Sequence, residues 1–369
     1  MKTSNEMRIG VVGAVGRGGS FSEGFRACGA RIHAVCDLQA DRLEAARAAL
    51  GASETYTDFD EMLAKSDIDA VVIGTPMHLH VPMSIAALKA GKHVMSEVTA
   101  GVTVDECKEL AQVAHASKGI YMMAENYCYM VQNILIREMV RRGLFGEIYY
   151  AEGEYIHELK VYNEVTPWRR KWQTGVNGIT YGTHSLGPIL QWFGGQRVVS
   201  VCCAGSGHHY RDPRGNEYEN EDSCVMLCKL SKGGLVKIRV DMLSNRPHNA
   251  EAYSLQGTEG CYESARGYTD LPKAWIKSMS MSDGQWKDLA AFDHLLPEWY
   301  IKDLPVARKT GHGGGDYYEI LDFIRAARGE APNPIDVDMA LDMTLPGLLS
   351  QSSIAQGGAW MDVPDSRSW

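Results

Sequence analysis

Tyr181 and His184 stand three residues apart at the start of an apolar stretch, Thr180-Tyr-Gly-Thr-His-Ser-Leu-Gly-Pro-Ile-Leu-Gln-Trp-Phe193. On a helix that spacing puts both side chains on one face. Phenol and imidazole shuttle protons when a site tunes their pKa values; the same pair could also serve as a cap and packing contact. Tyr155 and His157 are two apart in a strand-like run and so face one side of it. His157 is thereby a substrate-binding candidate, while Tyr155 could equally be a sheet-face aromatic, because strands favour tyrosine. Glu125 closes another strand-like run, where a carboxylate could assist catalysis or bind a cofactor amide or nearby backbone.

A second constellation suits an anion. In Arg8-Ile-Gly-Val-Val-Gly-Ala-Val-Gly-Arg-Gly-Gly-Ser20, a short apolar run enters a glycine-rich turn and a helix-like segment follows. Strand, tight turn and helix N-terminus together receive a dinucleotide pyrophosphate, with glycines sparing the space a side chain would fill. The glycines fall at Gly13, Gly16, Gly18 and Gly19, looser than G-x-G-x-x-G, so a plain tight turn also fits. Context favours the nucleotide. The run Arg31-Ile-His-Ala-Val-Cys-Asp37 ends in an acid about 20 residues on, where Asp37 would bond an adenosine ribose. Leu38 follows it rather than a base suited to a 2′-phosphate, which favours NAD over NADP.

The elements that must position these groups alternate at first. Helix patterns at 40–50 and 80–90, a capped short helix from Asp58 and another helix at 104–117 separate strand-like runs at 68–76, 93–98 and 120–125. Repeated β-α units imply a parallel, doubly wound Rossmann sheet with ligands at the carboxyl ends of its strands. Those ends carry Gly13, Asp37, Thr75-Pro76, Glu97 and Glu125. Near residue 150 the rhythm changes to consecutive strands at 147–158, 197–207, 223–230, 234–243 and 251–257, followed by helices at 316–328 and 337–355. We therefore expect a Rossmann domain over 1–145. An α+β domain with an open, mostly antiparallel sheet would follow over 146–369, its C-terminal helices partly packing back on the first.

Composition bounds the rest. The 369 residues suffice for two cored domains, and 45% hydrophobic with 22% charged residues is ordinary for a globular protein. A net charge of −9 without a basic run argues against nucleic acid. No apolar stretch reaches membrane-spanning length, and Met1-Lys-Thr-Ser-Asn-Glu6 lacks a signal-peptide core. The 9 cysteines lack C-x-x-C spacing, which predicts reduced thiols in a cytoplasmic protein and no metal site.

The glycine turn, Thr75-Pro-Met-His-Leu-His80, Glu97 and Trp168-Arg169 with Gly182-Thr-His184 resemble the Gfo/Idh/MocA family of NAD(P)-dependent oxidoreductases over nearly the whole chain. The family's Glu-Lys-Pro is Glu97-Val98-Thr99 here, and the aspartates expected around the histidine are Thr180 and Gly187. Its Thr-Pro-Asn is Thr75-Pro76-Met77. What replaces them resembles the NAD-dependent family-109 glycoside hydrolases. The matching stretches are Glu97-Val-Thr-Ala100, Ala124-Glu-Asn-Tyr-Cys-Tyr129, Glu154-Tyr-Ile-His-Glu158 and Tyr181-Gly-Thr-His-Ser-Leu-Gly-Pro188. Arg246-Pro-His248 and Gly311-His-Gly-Gly314 also have counterparts.

That resemblance implies a cycle on a sugar or glycoside. The C3 hydroxyl loses hydride to NAD, the ketone acidifies C2–H, the anomeric substituent leaves, water adds and NADH returns the hydride. It implies His184 and Tyr181 at the C3 hydroxyl, Tyr155 at the C2 proton, and Glu125 at the substrate or leaving group. The implied cofactor contacts are Gly13, Gly16, Arg17, Gly18, Gly19, Asp37, Thr75, Pro76, His80, Glu97, Asn126, Trp168 and Arg169, with Arg17 and Arg169 alternatively solvated surface charges. A homo-oligomer, dimer or tetramer, is expected. Two other functions share these residues: a dehydrogenase that releases a keto-sugar and NADH, and a non-catalytic NAD-dependent sensor.

Overall fold

The structure, a computed structural model, describes residues 6–172, 178–246, 251–267, 269–279 and 284–369. Pro247 and His248 of the Arg246-Pro-His stretch lie outside them. The chain forms two compact units. One comprises Met1–Met130, Lys302–Leu341 and Ser366–Trp369; the other comprises Val131–Ile301 and Asp342–Asp365.

The first unit is built on six parallel strands: β1 (Met7–Val12), β2 (Ala30–Cys36), β3 (Glu54–Tyr56), β4 (Ala70–Ile73), β5 (His93–Glu97) and β6 (Tyr121–Ala124), in the order β3-β2-β1-β4-β5-β6. The order reverses beside β1, the switch point at which doubly wound sheets bind nucleotides. Ile9, Val11, Val71, Val72, Met95 and Met122 are buried, as a sheet covered on both faces requires. The outer strand is closed by a segment from far along the chain. Met123 N–H donates to the Ile335 carbonyl (3.1 Å), and the Asn333 amide donates to the Tyr121 carbonyl (2.7 Å). Helix Gly315–Ala327 packs on helix Ser22–Ala27, with Phe323 edge-on to Phe25 at 6.3 Å. A Cβ on Gly24 would stand 2.3 Å from Ile320 Cδ1, so a larger residue there would have to push that side chain aside.

The second unit carries nine strands: β7 (Ile148–Ile156), β8 (Val198–Gly205), β9 (Ser223–Leu230), β10 (Leu235–Asp241), β11 (Glu251–Gly257), β12 (Gly260–Glu263), β13 (Lys273–Ile276), β14 (Lys287–Asp288) and β15 (Met361–Asp362). Their order is β14-β13-β12-β11-β7-β10-β9-β8-β15, and every pairing is antiparallel except β7 with β10. This is the open, mostly antiparallel sheet expected. Helix Thr183–Trp192 lies on β7, where a Cβ on Gly153 would come within 2.9 Å of Ser185. Trp192 anchors its far end: the indole N–H donates to the Asn133 carbonyl (3.1 Å), and the ring meets Tyr253 edge-on at 5.6 Å.

Candidate active site

In the second unit the sequence-marked side chains converge. Tyr155 projects from β7, and its ring centroid lies 5.1 Å from His184, 5.6 Å from Tyr181 and 5.9 Å from His157. His184 Nε2 lies 3.2 Å from the Tyr181 hydroxyl, and His157 Nδ1 lies 3.1 Å from the Tyr155 hydroxyl. Two phenols and two imidazoles thus form two hydrogen-bonded pairs that share the Tyr155 ring. Tyr155 and His184 are both buried, which keeps the centre of the cluster away from bulk water.

Local sequence explains the placement. The helix begins at Thr183, so Tyr181 sits in the turn before it rather than on its face. That turn is fixed from below: Ile179 N–H donates to Ser350 Oγ (2.7 Å), and Gln351 donates to Thr180 Oγ1 (2.9 Å). Pro188 lies inside the helix and has no N–H to offer the carbonyl four residues back, which belongs to His184. The Tyr253 hydroxyl donates to that carbonyl instead, at 2.6 Å, and pins the catalytic candidate's backbone. Tyr253 carries no sequence mark of this role; only β11 pairing beside β7 brings it there.

Trp168 and Arg169 belong to the second unit. The Arg169 guanidinium stacks at 4.3 Å from the Trp168 ring and 5.6 Å from Tyr162, and donates to Thr166. Burial pulls its pKa down, while Tyr181, Tyr162 and Tyr155 act in the opposite direction, so the cation lies within electrostatic reach of the tyrosine cluster.

The first unit gathers the other group. Gly13 has φ 74°, and a Cβ there would be 2.5 Å from the Gly74 carbonyl oxygen; one on Gly18 would be 2.3 Å from the Val12 oxygen. A Cβ on Gly19 would be 2.5 Å from the Ala14 oxygen. These three glycines let β1, the turn and the β4 end touch. Gly16 differs: a Cβ there meets nothing closer than 3.8 Å, so its approach is open. The helix that follows is a single turn, Arg17–Ser20. Asp37 lies past β2 and accepts from Val15 N–H (2.9 Å) and Gln39 N–H (3.0 Å), which ties the acid to the glycine turn.

Thr75 and Pro76 follow β4. His80 is buried, with Nε2 2.9 Å from the Thr75 carbonyl and Nδ1 2.8 Å from the Thr99 carbonyl, so its ring holds two strand-end turns together. Burial lowers its pKa, opposed by those two carbonyls. Glu97 accepts from Arg17 Nε and from Val98 N–H (3.1 Å). Arg17 also donates to Ser20 Oγ (2.8 Å) and Asp316 (3.4 Å). Glu125 is fully buried and accepts from Tyr127 N–H (3.3 Å), while the Asn126 amide donates to Asp316 Oδ1 (3.1 Å).

Two acids here escaped sequence reading. Asp316 and Glu319 lie three apart on helix Gly315–Ala327, on the same stripe as buried Ile320 and Phe323. Acids on an apolar stripe were the available signal. Both Glu319 carboxylate oxygens are buried without a hydrogen-bond partner among the described residues. Burial first, then Asp316, holds its carboxyl well above the ordinary range. Asp316 is held low by its His312 and Arg17 contacts against the opposing effect of burial.

NAD suits this unit on its own geometry. The glycine turn is open at Gly16, and Arg17 Nη2 beside it is a buried donor with no partner among the described residues, as an anionic pyrophosphate needs. Asn126 Oδ1 is likewise a buried acceptor without a partner among them. Among the described residues no three His, Cys, Asp or Glu side chains could hold a metal ion, and no helix is long and apolar enough to cross a membrane.

Comparison with known proteins divides the chain once along the sequence, whereas the first compact unit also takes in Lys302–Leu341 and Ser366–Trp369. Residues 7–125 match the oxidoreductase family with an NAD-binding Rossmann fold, and residues 129–368 match the C-terminal domain of glycosyl hydrolase 109. The chain belongs to glycosyl hydrolase family 109. A family-109 protein of Saccharopolyspora erythraea is 32% identical over 392 residues, covering 97% of this chain and 83% of that one. An NAD-binding oxidoreductase from Klebsiella pneumoniae has the same fold at TM-score 0.83 and 22% identity, over 98% of this chain and all (100%) of that one. Levoglucosan dehydrogenase in complex with NADH superposes at TM-score 0.80 and 20% identity, over 98% and 100% of the two chains. This family-109 member is an NAD-dependent enzyme on a Gfo/Idh/MocA scaffold.

Proposed function

We propose that this family-109 enzyme cleaves a glycoside by transient oxidation of its sugar at C3. The observation that carries the reading is the Tyr155, Tyr181, His184 cluster, which supplies more than one proton-handling pair. A simple alcohol oxidation needs one base; oxidation followed by elimination needs a second for C2–H. When bound, NAD supplies the oxidant that takes the C3 hydride and later gives it back. His184, hydrogen-bonded to Tyr181, takes the O3 proton. Tyr155, relayed to His157, takes the proton from C2 once the C3 ketone has acidified it. Glu125 assists the departing anomeric oxygen, His157 binds the sugar, and Arg169 stands as a cation within electrostatic reach of the tyrosines. Gly13, Gly16, Gly18, Gly19, Arg17, Asp37, Thr75, Pro76, Glu97 and Asn126 serve the cofactor, with His80 acting through the turns it holds.

Running the reaction in heavy water tests the second base. Elimination and rehydration predict deuterium at C2 of the released sugar. A released sugar whose C2 keeps its original hydrogen contradicts the proposal, because cleavage would then run without abstraction of C2–H; NADH formed while the glycoside stays intact would mean a plain sugar dehydrogenase.

A further inference from the structure

The Gly311-His-Gly-Gly314 motif does no proton chemistry in the scheme above, yet its backbone is unusual. Three successive residues, His312 (φ 51°), Gly313 (64°) and Gly314 (105°), are left-handed, a region uncommon for non-glycine residues although histidine enters it more readily than most. The consequence is a tightly held Asp316. A Cβ on Gly311 would stand 2.3 Å from Asp316 Oδ2, so the glycine backbone covers the carboxylate closely and a side chain there would displace it. A Cβ on Gly315 would be 2.9 Å from the Asn126 carbonyl oxygen, so the segment also docks against the end of β6. Asp316 Oδ1 receives His312 Nδ1 at 2.8 Å and the Asn126 amide at 3.1 Å, and Oδ2 receives Arg17 at 3.4 Å. One buried carboxylate thus ties the glycine turn, the β6 end and the motif together. The atoms of Arg17 and Asn126 that it leaves over, Nη2 and Oδ1, are buried and lack partners among the described residues.

We propose that the Gly311–Asp316 segment is a clasp on the cofactor half-site, with His312 and Asp316 as positioning residues that aim Arg17 and Asn126 and keep NAD(H) on the protein between oxidation and re-reduction. The inference rests on Arg17 and Asn126 being cofactor contacts in the function proposed above. It also assigns a purpose to a stretch that lies within the matched C-terminal family domain but packs in the Rossmann unit. Without the carboxylate, the Asn126 amide loses its acceptor and Arg17 loses one of its two acidic hydrogen-bond partners among the described residues. Without the His312 ring, Asp316 loses its shortest donor.

The test is the NADH dissociation rate, read by fluorescence after mixing NADH-loaded protein with excess NAD. Asp316→Asn and His312→Ala are each expected to speed release about tenfold or more, the effect of losing one charge-assisted hydrogen bond. His312→Asn keeps an amide donor and tolerates the left-handed backbone, so it should stay within about threefold of wild type. Should Asp316→Asn melt early, the half-exposed His312 pair decides alone. Asn126→Ala separates the two layers of the argument. If it speeds release while Asp316→Asn and His312→Ala behave as wild type, the clasp is overturned and the contact reading stands. If Asn126→Ala itself releases NADH at the wild-type rate, the contact reading falls and the clasp with it.

Discussion

At the scale of single residues, the two tyrosines and two histidines of the second unit form two hydrogen-bonded pairs, and the proposed division of labour between them is testable. Tyr155→Phe keeps the ring that His184, Tyr181 and His157 surround but removes the hydroxyl bonded to His157. Cleavage should fall by about 10²–10⁴, the usual worth of a positioned acid or base. Oxidation at C3 should survive, because His184 and Tyr181 are untouched. NADH absorbance would then rise toward one equivalent per site without release of the aglycone, whereas equal loss of both signals would contradict the division. Glu319 makes a different prediction. Burial keeps its native pKa well above the ordinary 4.5. Its contribution to stability is therefore complete below the unfolded value and is lost as pH rises through the native one. Glu319→Gln cannot ionise, so urea midpoints measured at about pH 5 and about pH 8 should show the variant gaining on wild type as pH rises. Parallel pH curves would mean that Glu319 has found a partner for its charge.

At the scale of elements, the glycine turn separates folding from binding. Gly13→Ala would force a side chain at φ 74° within 2.5 Å of the Gly74 oxygen, and Gly18→Ala would press on the Val12 oxygen. Each should cost more than about 1 kcal/mol, visible as a lowered melting temperature. Gly16→Ala has room and should melt like wild type. Equal melting of all three would remove the distinction. These elements were largely legible in sequence. The apolar run at 9–12, the capped helix from Asp58 and the long strand that became β7 (Ile148–Ile156) each follow from local pattern. The short strands β3 and β12–β15 were not legible, because pieces of 2–4 residues carry too little periodicity and form only through their neighbours. Tyr181 and His184 met as expected although only one of them is helical, since the turn before the helix keeps them at 3.2 Å.

At the scale of the whole molecule, the sequence order conceals how the first unit is completed. Lys302–Leu341 returns to it after the second unit has been built, covers β6 through Ile335 and Asn333, and delivers His312, Asp316 and Glu319. A reading along the chain found the helix at 316–328 from its periodicity. It could not find what the buried acids on that helix touch, because Asn126 and Arg17 lie 190 and 299 residues away. The glycine turn, Asp37 and the tyrosine and histidine candidates carry local sequence signals; Asp316, Glu319 and Tyr253 do not, because their contacts depend on tertiary packing. The central claim is that the whole chain runs a closed redox cycle, with no net consumption of NAD. Its most direct test is to incubate the purified protein with aryl glycosides, without added NAD, while following aglycone release and NADH absorbance together. The account predicts many turnovers of aglycone release with no accumulating NADH. Stoichiometric NADH with the glycoside intact would contradict it.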